Sequence, residues 1–238
     1  MPQQRIQKIY RVCLWLFATV LWFSVFPSCR SASEEEGFIS DSPEMIQLPS
    51  GLWVSKYEIT QAQWLKVMGE NPSYFQGKNL PVESVTYLQA QEFCKKLSEK
   101  ENRLGAMQYH LPTEIEWEYA CRGGTNTAFY TGIMIVAPSE EKYVDSAANK
   151  AGWYKLNGDE HTHRVGLKAP NQYGLYDMHG NVSEYVLTDS TRKIVSKGGS
   201  WYEYADGCQV HSRNVMEYRD RANQFSHFTG FRVVQSAR

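Results

Sequence analysis

Two groups of side chains in this sequence have residue types and spacing that could do chemistry. His161 and His163 are two positions apart, so on an extended strand both imidazoles would lie on one face and could bind a transition metal ion. No third ligand stands at a recognisable spacing, and two solvent-exposed histidines are the simpler interpretation. Ser200, Asp206 and His211 include the residue types of a hydrolase triad. The sequence lacks a nucleophile elbow, which argues against a hydrolase.

Cysteine is the other reactive residue type in the body of the chain. Three of the five cysteines, Cys94, Cys121 and Cys208, lie beyond residue 30. An odd set of three allows at most one disulfide bond among them. Three buried thiols is the alternative, because a free cysteine often packs as a small apolar side chain.

The first 28 residues have the order of a secretory signal peptide. Three basic residues precede an apolar run over residues 12–26, and Pro27, Ser28 and Cys29 follow it. The run is shorter than the ~20 residues that a membrane-spanning helix needs. Cys29 resembles the lipid-bearing cysteine of bacterial lipoproteins, which predicts a lipid anchor in the membrane. Cleavage near residues 31–33, with release of a soluble secreted protein, is the alternative.

Residues 29–44 are predicted to form a flexible tether. This stretch contains several acidic residues and few apolar ones, so it cannot bury enough surface to fold. The whole chain has 25 basic and 26 acidic residues and a formal net charge of -1. Because this balance provides no basic excess to neutralise a phosphate backbone, nucleic acid is not expected as a partner.

Residues 45–238 are predicted to form one domain with helices first and short strands later. A hairpin is expected over residues 46–59. Thr60, Thr86 and Thr113 each precede a Gln or Glu by three residues, the pattern of a capping box at a helix start. After Arg122 the helical period disappears, and short strands alternate with long Gly- and Asn-bearing segments. The pattern predicts an α+β fold with little regular secondary structure.

Five blocks of sequence support a family resemblance. They are residues 57–60 with Trp64, residues 81–94, the segment Leu-Pro-Thr-Glu-Ile-Glu-Trp-Glu-Tyr-Ala at 111–120, residues 171–184 with Gly-Leu-Tyr-Asp-Met-His-Gly-Asn-Val, and Gly-Gly-Ser-Trp at 198–201 with Gly-Phe-Arg at 230–232. Over about residues 45–235 the chain resembles the formylglycine-generating enzyme family, also called the sulfatase-modifying factor domain. This resemblance implies a C-type-lectin-like α+β fold in which two helices support a long loop region.

The enzymes of that family oxidise a sulfatase cysteine to formylglycine with O2 and a copper ion held by two cysteines. In this chain Cys208 is the only cysteine between Ser200 and Phe231, and Glu203 stands where the first cysteine of the pair would fall. Copper is therefore not expected, since one thiolate and one carboxylate make a poor Cu(I) site. If the chain were nevertheless an enzyme, Cys208 and Ser200 would be its candidate catalytic residues.

The resemblance also implies two structural calcium sites in the loop region. The first would use the carboxylates of Asp177 and Glu184 and the main-chain oxygens of Met178, Gly180 and Val182. The second would use four residues: Asn149, Lys150 through its carbonyl, Asn157 and Asp159. Oxygen ligands of this kind suit calcium. The alternative is turn chemistry, because Asn, Asp and Gly are also favoured in tight turns.

The segment 201–229 has the composition of a binding loop. Aromatic residues with Arg, Ser and Asn are typical of binding loops, because rigid amphipathic rings give contact area at low entropy cost. The candidates are Trp201, Tyr202, Glu203, Tyr204, Asp206, His211, Arg213, Asn214, Tyr218, Arg219 and Phe225. The arrangement resembles the variable proteins of diversity-generating retroelements, some of which are surface lipoproteins with this fold. The alternative is that several of these rings belong to the core.

These observations lead to a hypothesis of function. The chain is expected to be a secreted or lipid-anchored protein of the cell envelope or surface, whose domain binds a protein or glycan through loops 201–229 without oxidase activity. Two alternatives are retained. One is a formylglycine-generating oxidase, and the other is a scaffold subunit of a cell-envelope complex.

Overall fold

The computed structural model describes residues 39–101, 107–133, 144–187, 193–217 and 224–237. Residues 39–238 form one compact unit. The predicted signal peptide, Cys29 and the first part of the predicted tether lie outside the described residues. Within the described ranges, no helix has both the length and the apolar character needed to cross a bilayer.

The first sheet joins the two ends of the domain. Its four strands are β1 (Met45–Gln47), β2 (Trp53–Ser55), β3 (Met107–His110) and β8 (Val234–Ala237), in the order β1-β2-β8-β3 with antiparallel pairing throughout. The predicted hairpin is present as β1 and β2, connected through a turn in which Gly51 has φ +89°. The C-terminal strand β8 lies between the hairpin and β3, so the sheet closes only when the end of the chain returns.

The second sheet supports the loop region. Its strands are β4 (Ser183–Val186), β5 (Lys193–Lys197), β6 (Arg213–Glu217) and β7 (Thr229–Gly230), in the order β6-β5-β4-β7. β7 is parallel to β4, whereas the other pairs are antiparallel. The chain therefore leaves one edge of the sheet after β6 and returns at the opposite edge as β7.

Three helices begin where the sequence predicts them. They are α1 (Gln61–Met68), α2 (Tyr87–Glu101) and α3 (Glu114–Arg122). Reciprocal hydrogen bonds between each capping threonine and the Gln or Glu three residues later confirm all three capping boxes. These bonds satisfy amide groups that a helix start would otherwise leave without partners.

A fourth helix lies in the region expected to have none. α4 spans Ser146–Ala151, and the Asp145 side chain caps it by accepting a hydrogen bond from the Ala148 amide at 2.8 Å. The prediction that helical structure ends at Arg122 was wrong here, because a six-residue helix is too short to show a hydrophobic period. Its buried alanines make α4 part of the core.

The core consists of two clusters of buried side chains. One packs α1 and α2 against the end of the chain, with Trp64 stacked on Phe93 at 5.5 Å between ring centroids and Phe231 edge-on to both rings. The other surrounds Trp117 of α3, together with α4 and the second sheet. The architecture is α+β with short elements and long loops, as predicted.

Candidate functional site

A buried network of charges underlies the loop region. Glu184 of β4 accepts hydrogen bonds from Arg232 Nε at 2.7 Å and from Trp117 Nε1 at 2.5 Å. Arg232 also donates to the main-chain oxygens of Ser55 at 3.0 Å and Tyr176 at 2.8 Å. The side chains of Glu184 and Arg232 are almost fully buried. The Glu184–Arg232 ion pair and its hydrogen bonds therefore connect α3, both sheets and the segment before β4.

Asn181 connects this network to the loops above it. Its side-chain amide donates to Glu58 at 2.6 Å, its side-chain oxygen accepts from the His163 amide at 2.8 Å, and its carbonyl accepts from the Trp201 amide at 3.0 Å. Asn181 has φ +61°, a backbone conformation that asparagine tolerates better than most residues. Burial, followed by the charges of Asp177 and Glu184, raises the pKa of Glu58.

An exposed layer of rings lies over this network, and we name it the aromatic face. Ring centroids 4.4 to 6.4 Å apart link its members Tyr74, Phe75, Trp201, Tyr202, Phe225, His227 and Phe228. Tyr202 is 55% exposed, Tyr74 65% and Phe225 62%. Lys155 extends the face to Tyr204, because its Nζ lies 4.7 Å from the Tyr204 ring and 5.6 Å from the Tyr202 ring. Large exposed rings of this kind mark interaction sites.

Seven of the predicted loop residues fall into two groups. Trp201, Tyr202, Tyr204 and Phe225 lie on the aromatic face or beside it. Glu203, Arg213 and Asn214 instead line a cleft of about 260 Å³. Tyr74 and Phe75 belong to the face although sequence reasoning missed them, because they come from the connection between α1 and α2.

Asp206 and His211 lie outside both groups, and Arg213 also has a contact outside the cleft. Asp206 accepts a hydrogen bond from the Gly207 amide at 3.0 Å, and His211 is exposed in the turn before β6. Arg213 donates to Glu114 of α3 at 3.0 Å, and so part of its charge is used within the domain. Tyr218 and Arg219 lie outside the described residues.

The three body cysteines are free and buried. Cys208 is 1% exposed, and its Sγ lies 3.8 Å from the Ser200 carbonyl. Burial raises the pKa of the Cys208 thiol, and the nearby Glu203 charge raises it further. Cys121 Sγ lies 3.6 Å from His179 Nε2, and burial likewise raises its pKa. Thiols held in the neutral form are poor nucleophiles and poor metal ligands.

The Ser200 hydroxyl is engaged within its own loop. It donates to the Glu203 carboxylate and accepts from the Tyr202 amide at 3.2 Å. No hydrogen bond in the described part of the chain joins Ser200 to His211 or Asp206. The Ser200 hydroxyl is therefore bonded to the Glu203 carboxylate rather than to the residues that the triad would use.

The first predicted calcium set fits a cation only in part. Asp177 is buried with φ +55°, and its Oδ2 accepts from the Gly166 amide at 2.7 Å. Its Oδ1 is also buried and has no hydrogen-bond partner among the described residues. Burial raises the pKa of Asp177 to about 6. Glu184, however, is already paired with Arg232. A calcium ion at Asp177 stays a prediction.

In the second predicted calcium set, side chains of the domain already donate hydrogen bonds to both oxygens of Asn149. Lys168 Nζ donates to the Asn149 carbonyl at 2.8 Å, and Asn157 donates its side-chain amide to Asn149 Oδ1 at 2.8 Å. An ammonium group thus supplies the positive charge among these oxygens. Asp159 has a carboxylate oxygen within 4.8 Å of ligand atoms of His161 and His163. A calcium ion at this second set stays a prediction.

Comparison with known proteins gives a consistent family match. A family model described as sulfatase-modifying factor enzyme 1-like domain matches residues 28–237. A protein named "Chaperone protein LppX" from Paenibacillus barcinonensis is 32% identical over 79% of this chain and 81% of its own length. "Inactive C-alpha-formylglycine-generating enzyme 2" of Bos taurus is 28% identical over 80% of this chain, and "Formylglycine-generating enzyme" of Mus musculus is 28% identical over 65% of it. The chain spans only 61% and 45% of those two relatives.

A solved structure confirms the fold. Treponema denticola variable protein 1 superposes with a TM-score of 0.65 and 26% sequence identity, covering 82% of this chain and 92% of that protein. The predicted C-type-lectin-like fold of the formylglycine-generating-enzyme type is therefore confirmed.

Proposed function

Because the chain belongs to the family of sulfatase-modifying factor enzyme 1-like domains, we propose that it is a binding member of that family. In this proposal the aromatic face holds a protein or glycan partner, and no copper-dependent oxidation takes place. The observation that supports it most directly is the burial of Cys208 as a free thiol whose pKa is raised, in a domain that exposes the rings of Tyr74, Tyr202 and Phe225.

The chemistry of copper argues against the oxidase. A soft Cu(I) ion prefers two thiolates, whereas Glu203 offers a carboxylate that already accepts a hydrogen bond from Ser200. Among the described residues, the one group of three or more His, Cys, Asp or Glu side chains close enough to share a metal contains no cysteine. Cys208 Sγ contacts the Ser200 carbonyl at 3.8 Å, and Cys94 belongs to the other core cluster.

The aromatic face has the chemistry of a binding surface. Exposed rings of Tyr202 and Phe225 can pack against apolar side chains or against the flat face of a sugar, while Tyr hydroxyl groups and Lys155 supply polar contacts. Main-chain hydrogen bonds hold both ends of the loop, because the Trp201 amide donates to the Asn181 carbonyl and the Ser183 amide donates to the Phe228 carbonyl. Ordering the face for binding therefore costs less entropy.

The names of the similar proteins are compatible with this proposal. They include a chaperone, an inactive formylglycine-generating enzyme and a variable protein. We further propose a location in the cell envelope or at the cell surface, reached through the predicted signal peptide and either secretion or a lipid on Cys29. A membrane would then be contacted only through that lipid.

The oxidase alternative is tested by chemistry. We expect any copper bound by the purified protein to be the same in the wild type and in Cys208→Ser, and we expect a Cys-x-Pro-x-Arg peptide to stay unchanged in the presence of O2. Mass spectrometry of the peptide and metal analysis of the protein provide the readouts. Turnover that disappears in Cys208→Ser would reject the proposal.

The binding proposal is tested by site-specific crosslinking. A photoreactive amino acid in place of Tyr202 should crosslink a partner on the cells that make the protein. The same residue in place of Ile115, which is 83% exposed on α3, is the matched control. Loss of that crosslink in Phe225→Ala would support the aromatic face. Identical products from positions 202 and 115 would contradict it.

A further inference from the structure

Asp159, His161 and His163 form a compact group of potential metal ligands. One donor atom of each residue lies within 4.8 Å of the other two, and no second group of this kind occurs in the described ranges. We propose that these three residues bind one divalent transition-metal ion of the zinc class. The proposal is independent of the partner-binding function. It also corrects the expectation that the two histidines lack a third ligand.

The hydrogen bonds of both rings leave a nitrogen free for a metal. His161 Nδ1 lies 2.8 Å from the Thr162 carbonyl, and His163 Nε2 lies 3.0 Å from the Gly158 carbonyl. Because a carbonyl oxygen can only accept, each of these nitrogens must hold the proton. In the neutral rings the lone pairs therefore belong to His161 Nε2 and His163 Nδ1. Metal-binding histidines typically donate their other nitrogen to an oxygen in this manner.

The group is held in place by the rest of the domain. The His163 ring stacks on Trp153 at 3.8 Å with an interplanar angle of 16°. The main chain of His163 is bound on both sides by the Asn181 side chain, at 2.8 and 3.1 Å. Such support reduces the entropy lost when a metal binds.

The distances are compatible with one ion after a small side-chain movement. With metal–ligand bonds of ~2.0–2.1 Å, two ligand atoms on a tetrahedral zinc ion are about 3.3 Å apart. The observed separations are no more than 4.8 Å, and Asp159 is exposed and able to change its rotamer. Rotation of its carboxylate, with a small adjustment of the two imidazoles, would bring the three donors to one ion.

The ligand types select the class of metal. Two imidazoles with one carboxylate suit Zn²⁺, Ni²⁺ or Cu²⁺, whereas Ca²⁺ prefers six to eight oxygens. Three protein ligands leave a fourth position for water or for a donor from another molecule. His161 lies 6.3 Å from Phe75, between ring centroids, so this position is at the edge of the aromatic face.

Zinc titration of matched variants tests the site. The full chain, purified without a histidine tag and treated with chelator, is titrated with Zn²⁺ by calorimetry, and Co²⁺ is added separately as an absorption probe. We expect one Zn²⁺ per chain and visible Co²⁺ bands of tetrahedral intensity. Affinity should fall about tenfold or more in His161→Gln and in Asp159→Asn. His211→Gln, at an exposed histidine outside the group, should bind as the wild type does.

Several outcomes would overturn the assignment. They are the absence of Zn²⁺ binding, equal binding by the wild type and both variants, and binding of Ca²⁺ as tight as that of Zn²⁺. Near-UV circular dichroism without metal shows whether each variant folds. If His161→Gln fails to fold, Asp159→Asn decides the test, since asparagine tolerates the φ of +47° at this position.

Discussion

The buried charge network and the aromatic face differ in how strongly each depends on particular residues. In the network, Arg232 has five hydrogen bonds to Glu184 and two carbonyls, and nearly every polar atom has a defined partner. On the aromatic face, rings contact one another edge-on, tilted or stacked, and Tyr74, Tyr202 and Phe225 are more than half exposed. The comparison indicates that the network determines the fold, while the face can change its side chains without losing it.

This division has a physical reason. A charge in the interior costs several kcal/mol unless every partner is present, so few residue types are tolerated there. Replacing a half-exposed ring costs the protein little stability, because water can occupy the space that the ring leaves. A domain built in this way can present different binding surfaces on one framework.

Arg232→Met should have the largest effect of the changes considered. It leaves Glu184 buried without its cation, so the free energy of unfolding should fall by about 3–5 kcal/mol in chemical denaturation. The matched control is Arg213→Met, which breaks the half-exposed pair with Glu114 and should cost at most ~1 kcal/mol. Equal losses in the two variants would remove the distinction between the network and the surface.

A calcium ion bound at Asp177 would stabilise the buried part of the domain around the charge network. If Asp177 binds Ca²⁺ with its free Oδ1, the ion at 100 times its dissociation constant should stabilise the fold by about 2.7 kcal/mol. Asp177→Asn should abolish that increase in Tm, and asparagine tolerates φ +55° at this position. A wild-type Tm that does not respond to Ca²⁺ would show that the calcium prediction is wrong.

Thr113→Ala should weaken the start of α3, the helix that carries Trp117 to Glu184. Loss of the capping hydroxyl is expected to lower the free energy of unfolding by about 1 kcal/mol, measured by urea denaturation. Thr113→Ser keeps the hydroxyl and should retain most of that stability. An alanine variant as stable as the serine variant would argue that packing alone holds this helix.

Tyr202→Ala and Phe225→Ala should change stability least. Each side chain is more than half exposed, so each substitution should alter the free energy of unfolding by no more than about 0.5 kcal/mol. Thermal and urea denaturation provide the measurement. A loss above about 2 kcal/mol would mean that these rings belong to the core, the alternative left open by the sequence.

The buried thiols should show no reaction in the folded state. Burial raises the pKa values of Cys94, Cys121 and Cys208, so iodoacetamide at pH 8 should modify none of them in the native protein and all of them after unfolding. Peptide mass spectrometry assigns each cysteine. Rapid native labelling of Cys208 would reopen the enzyme alternative.

Residue patterns over a few neighbouring positions predicted three of the helices and the family of the domain. The capping boxes at Thr60, Thr86 and Thr113 depend on residues three positions apart, so a single sequence shows them. The short helix at Ser146–Ala151 was missed because six residues carry too little periodicity. The second calcium set was predicted without regard to Lys168, whose ammonium group donates a hydrogen bond to the Asn149 carbonyl, 19 positions earlier in the chain.

By itself, the sequence determined three capped helices, the family and the lack of a second cysteine between Ser200 and Phe231, since each depends on residue identity or near neighbours. The folded chain was needed to bring Phe75 against Trp201 and Tyr74 against His227, and to place Asp159 beside His161 and His163. These placements depend on backbone turns and on packing between segments distant in the chain, and residue spacing alone contains no measure of either.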